Sequence, residues 1–462
     1  MKQALLGIAG GLFAGLATLG ILFTGPLSLS NENAEAEPNV GATLEAQPAP
    51  TQAATESETQ SEVVEVVEEP IQCSVSDYED SEDILVFQAE VRDASTGEVL
   101  FERGSDTPAR AASVMKLFTA AAALETLGPD YRVTTRVYVD SQDPGILYLV
   151  GAGDVTLSRT GINQDSVYED APKLSSLVRQ ISNELRGQTF SQIVLDSTAY
   201  GSAAGEYQDV WDQRGLTNGY MSYVSALQVD GDRNDPTFKD SPRSNDPVGR
   251  AGTWFQEALG ESASGSAVVR GIAPPDAVEV AQVQSAPMST WIDYMLIVSD
   301  NTLAEAMARL VSLDVGLNGS FASLTEAYKR ALRGTGLDLA GMQVEDGSGL
   351  SRYNQVSPSQ VNELLQLIDA GYGEFEFIEE GMPVSGTPGS LSNRLLDAVG
   401  SVTAKTGWIR TGYSLAGFVD APDDTRLIFT VYNLGDVRAA NREAMDDVVL
   451  GFYNCGKNLV NR

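Results

Sequence analysis

Residues 111–123 read Ala-Ala-Ser-Val-Met-Lys-Leu-Phe-Thr-Ala-Ala-Ala-Ala, which as a helix is apolar nearly all round. Such a helix has no polar face to give to water, so it must be buried, with its first turn at the edge of a cleft. Ser113 and Lys116, three apart, share one face of that first turn. Burial disfavours the charged form of a lysine and lowers its pKa, which would let Lys116 accept a proton near neutral pH. The helix N-terminus adds free N–H groups and positive potential beside Ser113, where an oxyanion would develop. The same spacing also fits an N-cap serine followed by a snorkelling lysine, so the pair alone decides nothing.

The chain contains no histidine. That absence removes Ser-His-Asp triads, Cys-His pairs and imidazole metal sites, so a hydrolase built on this chain needs another base. Lysine is the remaining tunable candidate, and there are only seven: Lys2, Lys116, Lys173, Lys239, Lys329, Lys405 and Lys457. With 30 Lys+Arg against 64 Asp+Glu the formal charge is -34, which argues against nucleic acid or an anionic membrane surface as a partner. The length, 462 residues of which 42% are hydrophobic, allows two or three domains with real cores.

Residues 1–30 carry no charge from Ala4 to Ser30 and include Leu5, Leu6, Ile8, Leu12, Phe13, Leu19, Ile21, Leu22 and Phe23. We read them as an export signal. Ala34-Glu35-Ala36 offers a small-residue cleavage site, whereas the length of the apolar run favours retention as a membrane anchor. Residues 31–78 shift to Glu, Ala, Pro, Thr, Ser and Gln with no Lys or Arg, the composition of a disordered acidic linker.

Ile84 to Val91 and Val99 to Phe101 then form a hairpin around Asp93-Ala94-Ser95-Thr96-Gly97 that leads into the Ser113 helix. Residues 135–285 are mixed, strand-rich and Gly/Asp-punctuated, with strands at Tyr131 to Val139, Ile146 to Val150 and Gln192 to Leu195, and a helix at Lys173 to Leu185. They read as an inserted domain. Helical periodicity returns at Met288 to Val311, Phe321 to Arg333 and Ser359 to Ala370, before strands at Val402 to Lys405, Leu415 to Val419 and Leu427 to Tyr432 and a last helix at Arg438 to Tyr453. A hairpin at the start and a sheet at the end describe an α+β domain, residues 79–134 and 286–462, whose two parts pair across the insert. Cys73 and Cys455 sit at its two ends, where in an exported protein they read as a staple joining the termini; two unpaired thiols are the alternative.

Two further motifs share the setting of Ser113 and Lys116. Ser299-Asp300-Asn301 interrupts a helical stretch and is the only S-x-N in the chain. Lys405-Thr406-Gly407, placed at the end of a strand, is the only K-T-G, just as Ser113 to Lys116 is the only S-x-x-K. Each could be a cap or a turn. Together, in this order, they carry a signal that none carries alone.

With these three motifs the chain resembles the penicillin-recognising serine acyl-transferases, and specifically the class C low-molecular-mass penicillin-binding proteins, which are D-alanyl-D-alanine carboxypeptidases and endopeptidases. Pro108 to Gly128, Gly151-Ala152-Gly153-Asp154, the run Asp346-Gly347-Ser348-Gly349-Leu350-Ser351-Arg352 and the insert carry the finer resemblance, over roughly residues 84 to 450. It implies an α+β, β-lactamase/transpeptidase-like fold, an antiparallel sheet flanked by helices, with a strand-rich domain inserted between the first and second motifs. It implies an acyl-enzyme on Ser113, Lys116 as its base and Ser299 as a relay to the departing amine. Asn301 would bind the substrate amide, Lys405 and Thr406 the terminal carboxylate, and Gly407 would let substrate lie along the strand edge. Backbone N–H groups of Ser113 and Trp408 would form the oxyanion hole.

Arg352 would meet the carboxylate of the stem's diamino acid, or else serve a structural ion pair in its turn. Trp211-Asp212 resembles a W-D-D element that recognises a side-chain amine, but Gln213 stands in its third position. Asp154 reads as structural. Trp408 departs from the small hydroxyl residue usual after K-T-G. The expected partners are peptidoglycan stem peptides and β-lactams as covalent inhibitors, with no metal or cofactor, at the outer face of the cytoplasmic membrane or in the cell envelope. A β-lactamase on the same motifs, or a non-catalytic wall-binding or β-lactam-sensing protein, are the alternatives.

Overall fold

The computed structural model describes residues 72–201 and 205–461. The signal or anchor expected at 1–30 and most of the acidic linker expected at 31–78 lie outside the described residues.

Two five-stranded sheets organise the described chain. The first has strand order β2-β1-β10-β9-β8, built from β1 (Val86–Asp93), β2 (Val99–Arg103), β8 (Val402–Ile409), β9 (Gly412–Asp420) and β10 (Arg426–Leu434). It is antiparallel throughout, and the pairing of β1 with β10, Ala89 opposite Val431, is the expected junction of the first and last parts of the chain. Val431, Phe429, Val91 and Phe101 pack from this sheet against Met445, Val448, Val449 and Phe452 of the C-terminal helix Ala439–Cys455.

The end of the segment read as linker is part of this body. Residues Ser76–Glu79 form a helical turn, Val75 is buried against the C-terminal helix, and Cys73 is disulfide-bonded to Cys455 with a Cα–Cα distance of 5.4 Å. Val75 supplies the apolar contact and the disulfide the covalent one, so folding starts before residue 79.

On the other face of the sheet lies the helical core. Residues 111–123 are wholly buried there, as their all-round apolarity requires, with Leu117, Phe118 and Ala121 among Leu303, Met307, Trp291 and Met295. The helical stretch from Met288 to Val311 is interrupted at Ser299-Asp300-Asn301 as expected, dividing into Met288–Ile297 and Asn301–Asp314. The break falls at Ser299, held at φ 59°, and Asp300 caps the second helix by accepting the Leu303 N–H at 2.9 Å. The Lys405-Thr406-Gly407 motif, placed at a strand end from sequence, lies within β8 instead: Trp408 and Ile409 continue the ladder opposite Tyr413 and Gly412. β8 is an edge strand, so one side of that ladder is left unpaired beside the motif.

The second sheet has strand order β6-β5-β4-β3-β7, from β3 (Thr134–Val139), β4 (Ile146–Val150), β5 (Gln192–Asp196), β6 (Ala267–Arg270) and β7 (Val278–Gln284). β4, β5 and β6 run parallel, while β3 joins β4 and β7 antiparallel. Helices Leu174–Glu184 and Pro247–Leu259 supply the crossovers that parallel strands need, and they bury Leu177, Ile181, Val248, Ala251 and Phe255 on Leu149, Ile193 and Leu195. Between its strands, this region sends the stretch around Trp211, Tyr220 and Arg233 to the first sheet's cleft.

Candidate active site

Ser113 sits at the entry of the buried helix, in a turn of 3-10 helix (Ala112–Val114) that runs into the α-helix Met115–Thr126. The turn is tight: Ala112 has φ 45°, and a Cβ on Gly349 would stand 1.8 Å from the Ala112 carbonyl oxygen. Only glycine at 349 permits the Gly347-Ser348-Gly349 turn to lie against the backbone of Ala112 and Ser113 in this way. Gly407 is equally constrained, since its Cβ would lie 2.9 Å from Ser113 N and 2.1 Å from Ser414 Oγ. Strand β8 thereby passes directly beside Ser113.

Lys116 Nζ donates to Ser113 Oγ at 2.9 Å, to Asn301 Oδ1 at 2.7 Å and to the Ser348 carbonyl at 2.7 Å. These three acceptors account for the donors of an ammonium and point one at the serine. Burial pulls the Lys116 pKa down to about 7, against the opposing pull of Glu305, Asp346 and Asp300. Asn301 is itself oriented, its Nδ2 donating to the Tyr220 carbonyl at 2.9 Å.

Lys405 reaches the cleft from β8 and donates to Ser299 Oγ at 3.0 Å and to the Thr406 carbonyl at 2.9 Å. Burial, with Lys116, Lys239 and Arg394 nearby, drives its pKa well below that of an ordinary lysine. Thr406 Oγ1 donates to Ser390 Oγ at 2.8 Å. Ser113, Ser299, Asn301, Thr406, Gly407 and Trp408 all line one cleft of about 1030 Å³. Trp408 is 55% exposed at its rim and faces the Tyr413 ring, with centroids 6.4 Å apart.

The remaining residues read from sequence divide. Arg352 lines the cleft and donates to its neighbour's hydroxyl, Tyr353 Oη, at 2.8 Å. Trp211 lines it as well, but its indole N–H is committed to buried Asp346 at 2.7 Å. Asp212 lines it too, paired with Arg214 at its exposed rim. Asp154, at the end of its glycine-rich run, is buried and accepts from Thr156 N and Oγ1, and the glycines allow close backbone approach: a Cβ on Gly151 would stand 2.2 Å from the Ala226 carbonyl. That arrangement is structural.

Four participants escaped the sequence reading. Ser348 acts through its backbone carbonyl, which no residue type announces. Glu305 and Asp346 are buried carboxylates that hold the turn containing it. Arg233, fully buried, pairs with Asp300 at 2.7 Å and so ties the inserted region to the second motif. Burial alone would raise the Asp300 pKa, but Arg233 and Arg243 hold it below the usual carboxylate value. The one available signal was position: Glu305 follows Asn301 by four residues, on the same face of one helix. Among the described residues no cluster of His, Cys, Asp and Glu is arranged to hold a metal ion.

Comparison with known proteins is consistent across sequence and fold. The D-Ala-D-Ala carboxypeptidase 3 (S13) family model matches residues 77–244 and 234–452. Carboxypeptidase DacB of Mycolicibacterium smegmatis is 32% identical over 383 residues, covering 81% of this chain and 82% of its own. A D-alanyl-D-alanine carboxypeptidase of Actinomadura sp. is 29% identical, covering 78% and 80%. Penicillin binding protein 4 of Haemophilus influenzae shares the fold, with a TM-score of 0.70 over 82% of this chain and 99% of that one at 20% identity.

Proposed function

The chain belongs to the D-Ala-D-Ala carboxypeptidase 3 (S13) family, and from that membership we propose a mechanism for its serine carboxypeptidase activity in which Ser113 is the nucleophile and Lys116 its base. Ser113 Oγ attacks the carbonyl between two D-alanines while Lys116 takes its proton. The resulting oxyanion lies between the backbone N–H groups of Ser113 and Trp408. Collapse expels the terminal D-alanine, whose amine is protonated through Ser299, and water then releases the shortened stem peptide from Ser113. Asn301 holds the substrate amide. Lys405 and Thr406 take the terminal carboxylate, and Gly407 lets the peptide run along the open edge of β8.

The observation that carries this reading is the 2.9 Å contact from Lys116 Nζ to Ser113 Oγ, made by a buried lysine whose other donors are already engaged. A base that is both desolvated and held in place satisfies the two requirements of general base catalysis, pKa and geometry. Endopeptidase action differs only in the leaving amine, which then belongs to a neighbouring stem. β-Lactams should acylate the same serine because their amide imitates the D-alanyl-D-alanine bond.

Arg352 would meet a stem carboxylate; Trp211, its indole N–H donating to Asp346, and Asp212, paired with Arg214, line the same cleft, where a substrate amine would have to compete with Arg214 for Asp212. The body of the enzyme, residues 73–134 with 286–462, carries the three motifs, and residues 135–285 form the insert that supports them. We place the activity in the cell envelope, with residues 1–30 serving as the export signal or anchor. The test is D-alanine release from a pentapeptide stem alongside nitrocefin turnover. The reading expects stoichiometric D-alanine release and only slow nitrocefin hydrolysis; fast nitrocefin turnover without D-alanine release would make the protein a β-lactamase instead.

A further inference from the structure

One helix approaches Lys116 twice. Asn301, in its first turn, accepts the ammonium directly through Oδ1. Glu305, one turn later on the same face and fully buried, accepts the backbone N–H of Ser348 at 2.7 Å and of Gly347 at 3.2 Å. Asp346 takes the next N–H, that of Gly349, at 2.8 Å. A trans peptide sets its N–H opposite its carbonyl. Fixing Gly349 N–H on Asp346 therefore turns the Ser348 carbonyl toward the cleft, where it receives Lys116 Nζ at 2.7 Å and Ser113 Oγ at 3.3 Å.

We propose that Glu305 is a positioning residue of the acylation step: it pins the N–H groups of Gly347 and Ser348 and, together with Asp346 on the Gly349 N–H, holds the turn whose Ser348 carbonyl keeps Lys116 against Ser113, and when ionised it places a buried negative charge that acts on that lysine. The inference rests on the assignment of Ser113 and Lys116 above. A carboxylate that only capped a turn would not need to be buried beside a lysine. Its surroundings single out Lys116 as the group it acts on. From the helix of Ser113 it acts on Lys116, from the turn it meets Asp346, from its own helix Arg309, and from the helix Leu324–Ala331 Tyr328, while Asp300, the N-cap of its helix, acts on the same lysine. Arg309 is turned away, donating to the Gly205 carbonyl and stacking over Phe321, and Asp300 is paired with Arg233. Tyr328 is engaged with Thr119 at 2.6 Å. Burial and then Asp346 raise the Glu305 pKa to about 7, and where Glu305 is ionised its charge favours the protonated form of Lys116.

The sign of the effect follows. Removing the negative charge lowers the proton affinity of Lys116, so the free base persists to lower pH and the ascending limb of acylation moves toward acid. The experiment measures the second-order rate of acylation by a fluorescent penicillin from about pH 5 to about pH 9 in the full chain, for wild type, Glu305→Gln, Glu305→Ala, Glu305→Asp and Ser113→Ala, with thermal unfolding of each.

Glu305→Gln should move the ascending limb down by about one pH unit, and Glu305→Ala should also lower the plateau by about a hundredfold. Glu305→Asp keeps the charge but shortens the reach, so its limb should stay in place while its plateau falls by about tenfold; it decides the matter should the neutral variants not fold. A Glu305→Gln limb superimposed on wild type, or a wild-type plateau in Glu305→Asp, would overturn the inference. Labelling of Ser113→Ala would instead sink the nucleophile assignment, so the two failures are told apart.

Discussion

Lys116 and Lys405 are both fully buried and each donates to the hydroxyl of a serine that lines the cleft, Ser113 at 2.9 Å and Ser299 at 3.0 Å, yet their surroundings are opposite. Lys116 donates to three acceptors and lies near Glu305, Asp346 and Asp300. Lys405 donates to two, and the charges around it are Lys116, Lys239 and Arg394. No carboxylate pairs with Lys405 among the described residues. Burial without an anion disfavours the charged form of Lys405, and a ligand that brings a carboxylate would favour it again. The same residue type thus has its polar partners complete in one place and lacks an anion in the other, which is the contrast the proposed roles of base and carboxylate receptor rest on.

That contrast can be broken at several points. The largest effect should come from Lys116→Ala, which ought to fold yet acylate at least about a hundredfold more slowly, measured with a fluorescent penicillin; near-normal acylation would deny it the role of base. Lys405→Met should lower kcat/KM about tenfold to a hundredfold for a stem ending in a free carboxylate, and clearly less for the same stem amidated at its C-terminus. Equal losses on both would show that Lys405 does not read the carboxylate.

Wild-type acylation should fall about tenfold per pH unit below its limb, because Lys116, with its pKa pulled down to about 7 by burial, becomes protonated there. A rate that is flat from about pH 5 to about pH 8 would contradict that. Binding of a carboxylate-terminated stem to Ser113→Ala should take up a proton, since the arriving anion restores the proton affinity that burial removes from Lys405. Calorimetry in buffers of different ionisation enthalpy reads this directly, and the uptake should vanish in the added Lys405→Met background. Smallest should be Arg352→Ala, a few-fold loss in kcat/KM confined to stems whose diamino acid carries a free carboxylate.

Much of this was legible in the sequence because the chemistry concentrates in side chains of unusual type. A histidine-free chain with only seven lysines leaves Lys116 and Lys405 conspicuous, and their motifs Ser113 to Lys116, Ser299 to Asn301 and Lys405 to Gly407 converge on one cleft. The pairing of β1 with β10 followed from a hairpin at the start and strands at the end. Cys73 and Cys455 were legible by position at the two ends of the folded part; on the chain-entropy view their 382-residue loop would stabilise the fold by at most about 6 kcal/mol.

What stayed hidden was of three kinds. The Ser348 carbonyl is backbone, and every residue has one. Glu305 is one of 64 acidic residues, distinguished only by burial, and Asp346 stood in a run read for its resemblance without a role of its own. Trp211 resembled a substrate-binding tryptophan, but its partner Asp346 lies 135 residues away, a contact that no local pattern encodes. The continuation of β8 through Trp408 and Ile409 was missed because its ladder partner, Gly412 and Tyr413, and not its own composition, holds it extended.

The most direct test is to treat the protein with a β-lactam, digest it and locate the adduct by mass spectrometry, in wild type and in Ser113→Ala. The account predicts one adduct per chain on the peptide bearing Ser113, absent from the variant. An adduct on any other residue, or one that survives Ser113→Ala, would contradict it.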